Sequence, residues 1–258
     1  MGGLLSLCMI VKNEEKVLAR ALDGVRAYVD EIVIADTGST DGTKAAAAEY
    51  TDGIFDFEWC DDFAAARNFS FSKATCEYVM WMDADDIVTP ENGERLQKLR
   101  GRLERENPDT VMCRYDVAFD EAGRTTFSYI RERIMRRESC PPWQGCVHEC
   151  IAPTGKIIFS HFAVRHGETP GKVRGRRNLD IYQRNVSKGA RLDPRHMLYY
   201  GRELYSNRLY AEAEGVLKRA VEGEGWAVNK IEASKVLADC YLAQDREEDA
   251  LNTLIGSF

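Results

Sequence analysis

The 258-residue sequence contains no apolar run near the ~20 residues that a membrane-spanning helix requires. Its opening stretch, Met1–Val11, is apolar but carries no basic segment, and Lys12-Asn13-Glu14-Glu15 follows at once. That pattern is expected of a first β-strand and not of a secretory leader. The eight cysteines lack a regular spacing framework, which disfavours a disulfide scaffold and predicts a reducing, cytoplasmic setting. Positive charge is in deficit as well. With 35 Lys and Arg against 42 Asp and Glu, the formal charge is −7, which excludes a general nucleic-acid coat but leaves local basic patches open. What is present is a core: 44% hydrophobic and 10% aromatic residues suit a globular chain with room for one large α/β domain and a small appendage.

The first hundred positions alternate apolar runs with amphipathic ones, the pattern of a parallel sheet covered by helices. Leu4–Val11 reads as a buried strand, and Asn13 as the cap of a helix bearing Val17, Leu18, Ala21, Leu22 and Val25. Further strands are expected at Glu31–Asp36, Ile54–Glu58 and Tyr78–Met82, with helices at Ala45–Tyr50 and Phe63–Ala74. Thr89-Pro90 supplies a cap and a first helical residue for a helix presenting Leu96, Leu99 and Leu103. Beyond Asn107 the pattern changes to strands. Thr110–Phe119 and Thr126–Met135 read as an antiparallel pair joined around Asp120–Arg124. Cys146–Ala152 and Lys156–Phe162 read as a second pair turning at Gly155.

From about Pro170 the chain reads as helical. Tyr205 and Tyr241 stand 36 residues apart and Ala213 and Ala250 stand 37 apart, in frames that resemble tetratricopeptide (TPR) repeats of about 34 residues. The second copy is clear only in its first helix. The expected division is therefore 1–168 for the α/β domain and 169–258 for a TPR-like helical region, through which protein contact or a homo-oligomer could form.

In an open α/β sheet, ligands bind beyond the carboxyl ends of the strands. Three such ends here are polar: Lys12–Glu15, Asp36–Asp41 and Asp83–Asp86. A D-x-D triplet alone is a common solvated turn; delivered by a strand to the same edge as two other polar loops, it becomes a site. Two carboxylates there would repel a nucleotide diphosphate unless a hard divalent cation, Mn²⁺ or Mg²⁺, joined them to the diphosphate oxygens.

Four blocks then carry a specific likeness: Ser6-Leu7-Cys8-Met9-Ile10-Val11-Lys12-Asn13-Glu14-Glu15, Ile34-Ala35-Asp36-Thr37-Gly38-Ser39-Thr40-Asp41-Gly42-Thr43, Ala66-Arg67-Asn68 and Met82-Asp83-Ala84-Asp85-Asp86. In order and spacing they resemble the family-2 glycosyltransferases of GT-A fold, a Rossmann-like arrangement for nucleotide-diphospho-sugars. Trp143-Gln144-Gly145-Cys146-Val147-His148-Glu149 and His166-Gly167, followed by helical repeats, resemble more loosely the subgroup with C-terminal TPR repeats, which includes sublancin-type peptide S-glycosyltransferases. The resemblance implies a nucleotide-sugar donor, UDP first, and an inverting transfer. Asp36 would accept from the pyrimidine, the Val11–Asn13 backbone would flank the base, and Arg67 would approach the base or diphosphate. Asp83 would lie near ribose and metal, Asp85 would be the direct metal ligand, and Glu14 and Ala84 would be further donor-side positions. Where the family often has paired aspartates, Thr37 follows Asp36, as in the repeat-bearing subgroup.

Several assignments stay open at this level. An inverting transferase needs a general base, and the usual Glu-Asp pair with its Arg/Trp-rich motif is not evident. Glu149 is the first substitute and His148 the second, against a surface glutamate on an edge strand. His166 would complete the metal shell, with His161 as competitor, whereas His196 falls in the helical region. Arg67 has an alternative in an ion pair with Asp61 or Asp62. Trp143 either stacks on the donor sugar or covers the core. Cys140, Cys146, His148 and Cys150 raise a structural zinc site, though their spacing matches no common knuckle. The arginines at 131, 133, 136 and 137, and the run Arg165, Lys172, Arg174, Arg176 and Arg177, read as solvated faces or as a contact for an anionic acceptor. The acceptor itself (peptide, glycan, lipid or nucleic acid) is not specified by these residues. A sugar nucleotidyltransferase would want a Gly-rich, basic loop in place of Lys12-Asn13-Glu14-Glu15. A noncatalytic TPR-type interaction protein would not need Asp36, Arg67, Asp83 and Asp85 intact.

Overall fold

The computed structural model describes residues 2–167 and 175–257. These residues fall into two compact units, Met1–Gln144 with Glu149–Lys172, and Gly145–His148 with Val173–Phe258.

The first unit is a mixed sheet with the strand order β3-β2-β1-β4-β7-β6-β8-β5. Strands β1 (Leu5–Val11), β2 (Glu31–Asp36), β3 (Ile54–Asp56) and β4 (Tyr78–Trp81) are parallel. Their near-continuous apolar runs reflect cover on both faces. Helix α1 (Leu18–Val25) buries Leu18, Ala21, Leu22 and Val25, the positions given by the helical period. Helix α2 is Thr43–Ala48, and α3 (Phe63–Lys73) is capped by Asp62, whose carboxylate accepts from the Ala65 amide at 2.9 Å. Helix α4 (Pro90–Glu106) starts at the Thr89 cap and buries Leu96, Leu99 and Leu103. It stops at Asn107, which takes the left-handed conformation common at helix ends.

The second half of the sheet is where the chain turns. Strands β6 (Thr110–Phe119) and β7 (Thr125–Arg136) form the expected antiparallel pair. Strand β8 (Ile157–His166) runs parallel to β6, and the short β5 (Asp86–Ile87) pairs antiparallel with its end, Asp86 opposite His166. The strand expected at Cys146–Ala152 does not form; a single bridge links Gln144 and Cys150. Gly145 (φ 98°) and His148 (φ 54°) are both left-handed, which breaks extended pairing. Asn13 also departs from expectation. With φ 56° it caps no helix; its amide donates to Ser39 Oγ at 2.9 Å and its side-chain oxygen accepts from the Thr40 amide at 2.8 Å. It thus ties the loop after β1 to the loop after β2.

In the second unit, helices α5 (Arg177–Ser187), α6 (Pro194–Ser206), α7 (Tyr210–Glu222), α8 (Ala227–Leu242) and α9 (Glu247–Ile255) follow one another. Helices α8 and α9 occupy the stretch of the expected second copy, and Ala213 and Ala250 are buried in α7 and α9. Gly201 in α6 has a packing reason: a Cβ there would lie 2.4 Å from Leu217 Cδ2 and 2.5 Å from its Cγ. Gly201→Val should therefore destabilise the helical unit by about 1–3 kcal/mol through overpacking. Urea unfolding followed by circular dichroism measures this, and an unchanged midpoint would show that α6 and α7 can separate without loss.

Candidate active site

Strands β1, β2 and β4 place Val11, Asp36 and Trp81 at one edge of the sheet, with Val11 directly opposite Asp36. The Val11 carbonyl is taken by Thr37, which donates to it from both its amide (2.9 Å) and its hydroxyl (3.0 Å). Asp36 is 1% exposed. Its Oδ1 accepts from the Gly38 and Ser39 amides at 2.9 and 2.8 Å, while Oδ2 is buried with no hydrogen-bond partner. A buried carboxylate oxygen without a partner is costly. The neighbouring loop is stiffened from Glu14 and Glu15. The Glu14 amide donates to Thr43 Oγ1 at 2.7 Å, and Glu15 Oε2 accepts from the Gly42 amide at 2.7 Å.

Arg67, on α3, is the hub of the next cluster. Its Nη2 donates to Asp83 Oδ1 at 2.8 Å and its Nε to Glu149 Oε1 at 2.6 Å. The guanidinium lies 4.9 Å from the Trp81 ring centroid and 5.0 Å from that of Trp143. Burial alone would lower the Arg67 pKa, but the charges of Asp83 and Glu149 outweigh it and raise it. In return, although burial pushes the Asp83 carboxyl up, the Arg67 guanidinium holds it below its ordinary value. The alternative partners of Arg67 are engaged elsewhere: Asp62 caps α3, and Asp61 accepts from Trp59 Nε1 at 3.1 Å. Glu149 is likewise no edge-strand surface residue, since its side chain is 12% exposed.

Trp143 resolves to the core. It is 3% exposed, packs edge-on against Phe71 and Trp81, and exchanges hydrogen bonds between its backbone and the Asn68 side chain at 2.8 and 3.1 Å. It presents no face to a sugar and instead forms a shelf for Arg67. Ala84 is buried in the main core, so only its backbone is placed to line a site.

The acidic turn after β4 is organised by Asp86, which sequence reasoning passed over as the last of three acids. Asp86 is fully buried, with Oδ2 accepting from the Asp83 amide at 3.0 Å and from Arg133 Nη1 at 3.4 Å. Its Oδ1 accepts from the Tyr115 hydroxyl at 2.7 Å. Arg133, expected on a solvated face, is also fully buried, flat against Trp81 at 3.7 Å and near Tyr115 at 4.7 Å. Its Nε and Nη2 have no hydrogen-bond partner, and the aromatic faces supply the attraction instead. Of the other arginines in that run, Arg131 pairs with Glu132, Arg136 with Glu77, and Arg137 donates to the Cys76 carbonyl. Lys172 and Arg174 lie outside the described residues. The signal for Arg133 was its place in β7 opposite the Tyr78–Trp81 strand, legible only once the register is known.

Among the described residues, the group of His, Cys, Asp or Glu that could hold a metal is Asp85, Asp86 and His166, whose ligand atoms lie within 4.8 Å of one another. His166 Nδ1 is 3.7 Å from Asp85 Oδ1, 3.8 Å from Asp86 Oδ1 and 3.0 Å from the Tyr115 hydroxyl. Its pKa is raised chiefly by the neighbouring Asp86 carboxylate, against partial burial. Gly167 closes the corner: its amide donates to the Asp85 carbonyl at 3.0 Å, and a Cβ there would meet that oxygen at 2.3 Å. Asp83 is not in this group; its Oδ1 is on Arg67. Cys140, Cys146, His148 and Cys150 are not in it either, and the left-handed His148 removes the strand on which they were to alternate. The His148 ring stacks on Tyr199 at 4.4 Å, with Nε2 3.5 Å from Glu203 Oε1, inside the helical unit. His161 lends its carbonyl to Arg95, and His196 sits beside Asp193 at 3.0 Å.

Comparison with known proteins fits this geometry. The family described as Glycosyl transferase family 2 matches residues 6–162. A TPR repeat-containing protein of Synechococcus elongatus is 34% identical over 146 residues, covering 57% of this chain and 35% of its own. The SPbeta prophage-derived glycosyltransferase SunS of Bacillus subtilis is 28% identical over 224 residues, 83% of this chain and 52% of its own. The chain thus spans about half, or less, of these relatives. Among solved structures, S. aureus TarS 1–349 in complex with UDP-GlcNAc aligns with a TM-score of 0.52 at 14% identity, over 98% of this chain and 81% of that one. That likeness is one of fold, the GT-A arrangement. No helix among the described residues is long and apolar enough to cross a membrane.

The Asp86–Arg133 pair generates a prediction. Arg133→Met should cost about 3–5 kcal/mol, because it leaves a buried carboxylate without its counter-charge. Denaturant unfolding reads this directly; a loss under about 1 kcal/mol would show that Tyr115 and the Asp83 amide suffice for Asp86.

Proposed function

Because the chain belongs to glycosyl transferase family 2, we propose that it moves a sugar from a nucleotide diphosphate, UDP first, to an acceptor nucleophile, with a divalent cation and inversion at the anomeric carbon. The observation that carries the reading is the meeting of three features in one unit: the unpartnered Asp36 Oδ2, the Arg67 hub, and the Asp85–His166 pair.

Asp36 Oδ2 is proposed to accept from the ring N–H of the pyrimidine, which satisfies its buried lone pair, with the Val11–Asn13 turn and Glu14 walling the base. Asp83 is proposed to face ribose and cation, and the Ala84 backbone to line the same turn. The Asp85 carboxylate suits either Mn²⁺ or Mg²⁺, and the imidazole nitrogen of His166 favours Mn²⁺ of the two. Such a cation, when bound, neutralises charge on the departing diphosphate. Arg67 lends a fixed positive charge to the same side, held in place before the donor arrives.

Glu149 is proposed as the base. Its carboxylate is oriented by Arg67 and would take the acceptor's proton as the acceptor atom bonds to the anomeric carbon. The bond from that carbon to the diphosphate oxygen breaks, and its electron pair leaves with the diphosphate. His148, the second residue named from the sequence, lies in the helical unit, stacked on Tyr199.

Asp85→Ala should abolish cation-dependent hydrolysis of UDP-sugars while the protein keeps its wild-type unfolding midpoint; undiminished hydrolysis would remove Asp85 from the cation. Glu149→Gln should leave donor-induced thermal stabilisation within a degree or so of wild type and cut transfer by about 10²-fold or more. Transfer at the wild-type rate would assign the base elsewhere.

A further inference from the structure

Three side chains near the acidic turn form a chain of hydrogen bonds whose direction is determined by their chemistry. The Tyr115 oxygen lies 2.7 Å from Asp86 Oδ1 and 3.0 Å from His166 Nδ1. A tyrosine hydroxyl has one hydrogen to give and lone pairs to receive. Asp86 accepts from the Asp83 amide and from Arg133 at Oδ2, and its Oδ1 accepts from the Tyr115 hydroxyl. The Tyr115 hydrogen must therefore go to Asp86, and the contact with His166 requires a hydrogen on Nδ1. The carboxylate oxygens of Asp85 and Asp86, 3.7 and 3.8 Å from Nδ1, favour a hydrogen at that nitrogen too.

We infer that Tyr115 is a positioning residue that fixes His166 as the Nδ1–H tautomer and leaves Nε2 as the nitrogen with a lone pair for a ligand. This rests on the proposed cation site for its purpose, but not for its geometry. The tautomer of a ligating histidine is set by the bond its other nitrogen makes, and here that bond runs through Tyr115 to Asp86 and on to Arg133. The sequence gives no hint of it. Tyr115 sits on β6, 29 positions after Asp86 and 51 before His166, and the pairing of β8 with both β6 and β5 sets it beside both.

The test is ¹⁵N NMR of the metal-free chain labelled at histidine, recorded at alkaline pH so that the rings are neutral. The chain has four histidines, and His166→Gln assigns the resonance. Nδ1 of His166 should show the protonated, pyrrole-like shift and Nε2 the unprotonated, pyridine-like shift. In Tyr115→Phe the ring should relax toward the Nε2–H form that free neutral histidine prefers, and Mn²⁺ affinity, read by electron paramagnetic resonance, should fall about 10–100-fold. A wild-type His166 in the Nε2–H form overturns the inference without need of any variant. So does a folded Tyr115→Phe that keeps both tautomer and affinity. Should the wild type show the expected tautomer but bind no Mn²⁺, the cation reading fails and the tautomer assignment stands.

Discussion

The buried carboxylate of Asp86 is the constraint on which the site depends. A charge with no exposure is tolerated only when it is paired and hydrogen-bonded, and Asp86 has Arg133, Tyr115 and the Asp83 amide. Each partner comes from a different stretch of chain: β7, β6 and the end of β4. Satisfying one carboxylate therefore fixes the antiparallel half of the sheet against the parallel half. It also sets the turn that presents Asp83 and Asp85, and through Tyr115 it reaches His166. Arg133 is held in turn by Trp81 beneath it, so the apolar core and the polar site share the same side chains.

Arg67 plays the matching part on the donor side. Two carboxylates converge on it, from β4's end and from the irregular segment before β8, and two tryptophans shelve it. In the proposed reading, a guanidinium clamped in place would meet a polyanionic donor without reorganisation. The pairing also draws Glu149 to the same cluster as Asp83, 66 positions earlier in the chain.

Much of the fold was legible because its signals are local. Apolar runs located β1, β2 and β6, a period-3.6 face located α4, and Thr89-Pro90 marked a helix start that the structure keeps. The strand-end motifs with Asp36 and with Asp83–Asp86 were legible as candidates in the same way, since strand ends are where such sheets bind. What escaped was whatever depends on register or on backbone conformations that residue type does not advertise. Arg133 reads as surface until its strand is known to lie over Trp81. The strand expected at Cys146–Ala152 is undone by left-handed Gly145 and His148, and with it the zinc alternation and the edge position of Glu149. Asn13 carries the signature of a cap, yet takes φ 56° to clamp Ser39 and Thr40.

The central claim is that the turn after β4 and the end of β8 together hold a cation for a nucleotide-sugar. Anomalous X-ray diffraction at the manganese edge, on crystals soaked with Mn²⁺ and UDP, tests it most directly. The account predicts one strong peak beside the Asp85 carboxylate and the His166 ring, with the pyrimidine of UDP at Asp36. Density for bound UDP with no manganese peak beside Asp85 would contradict it.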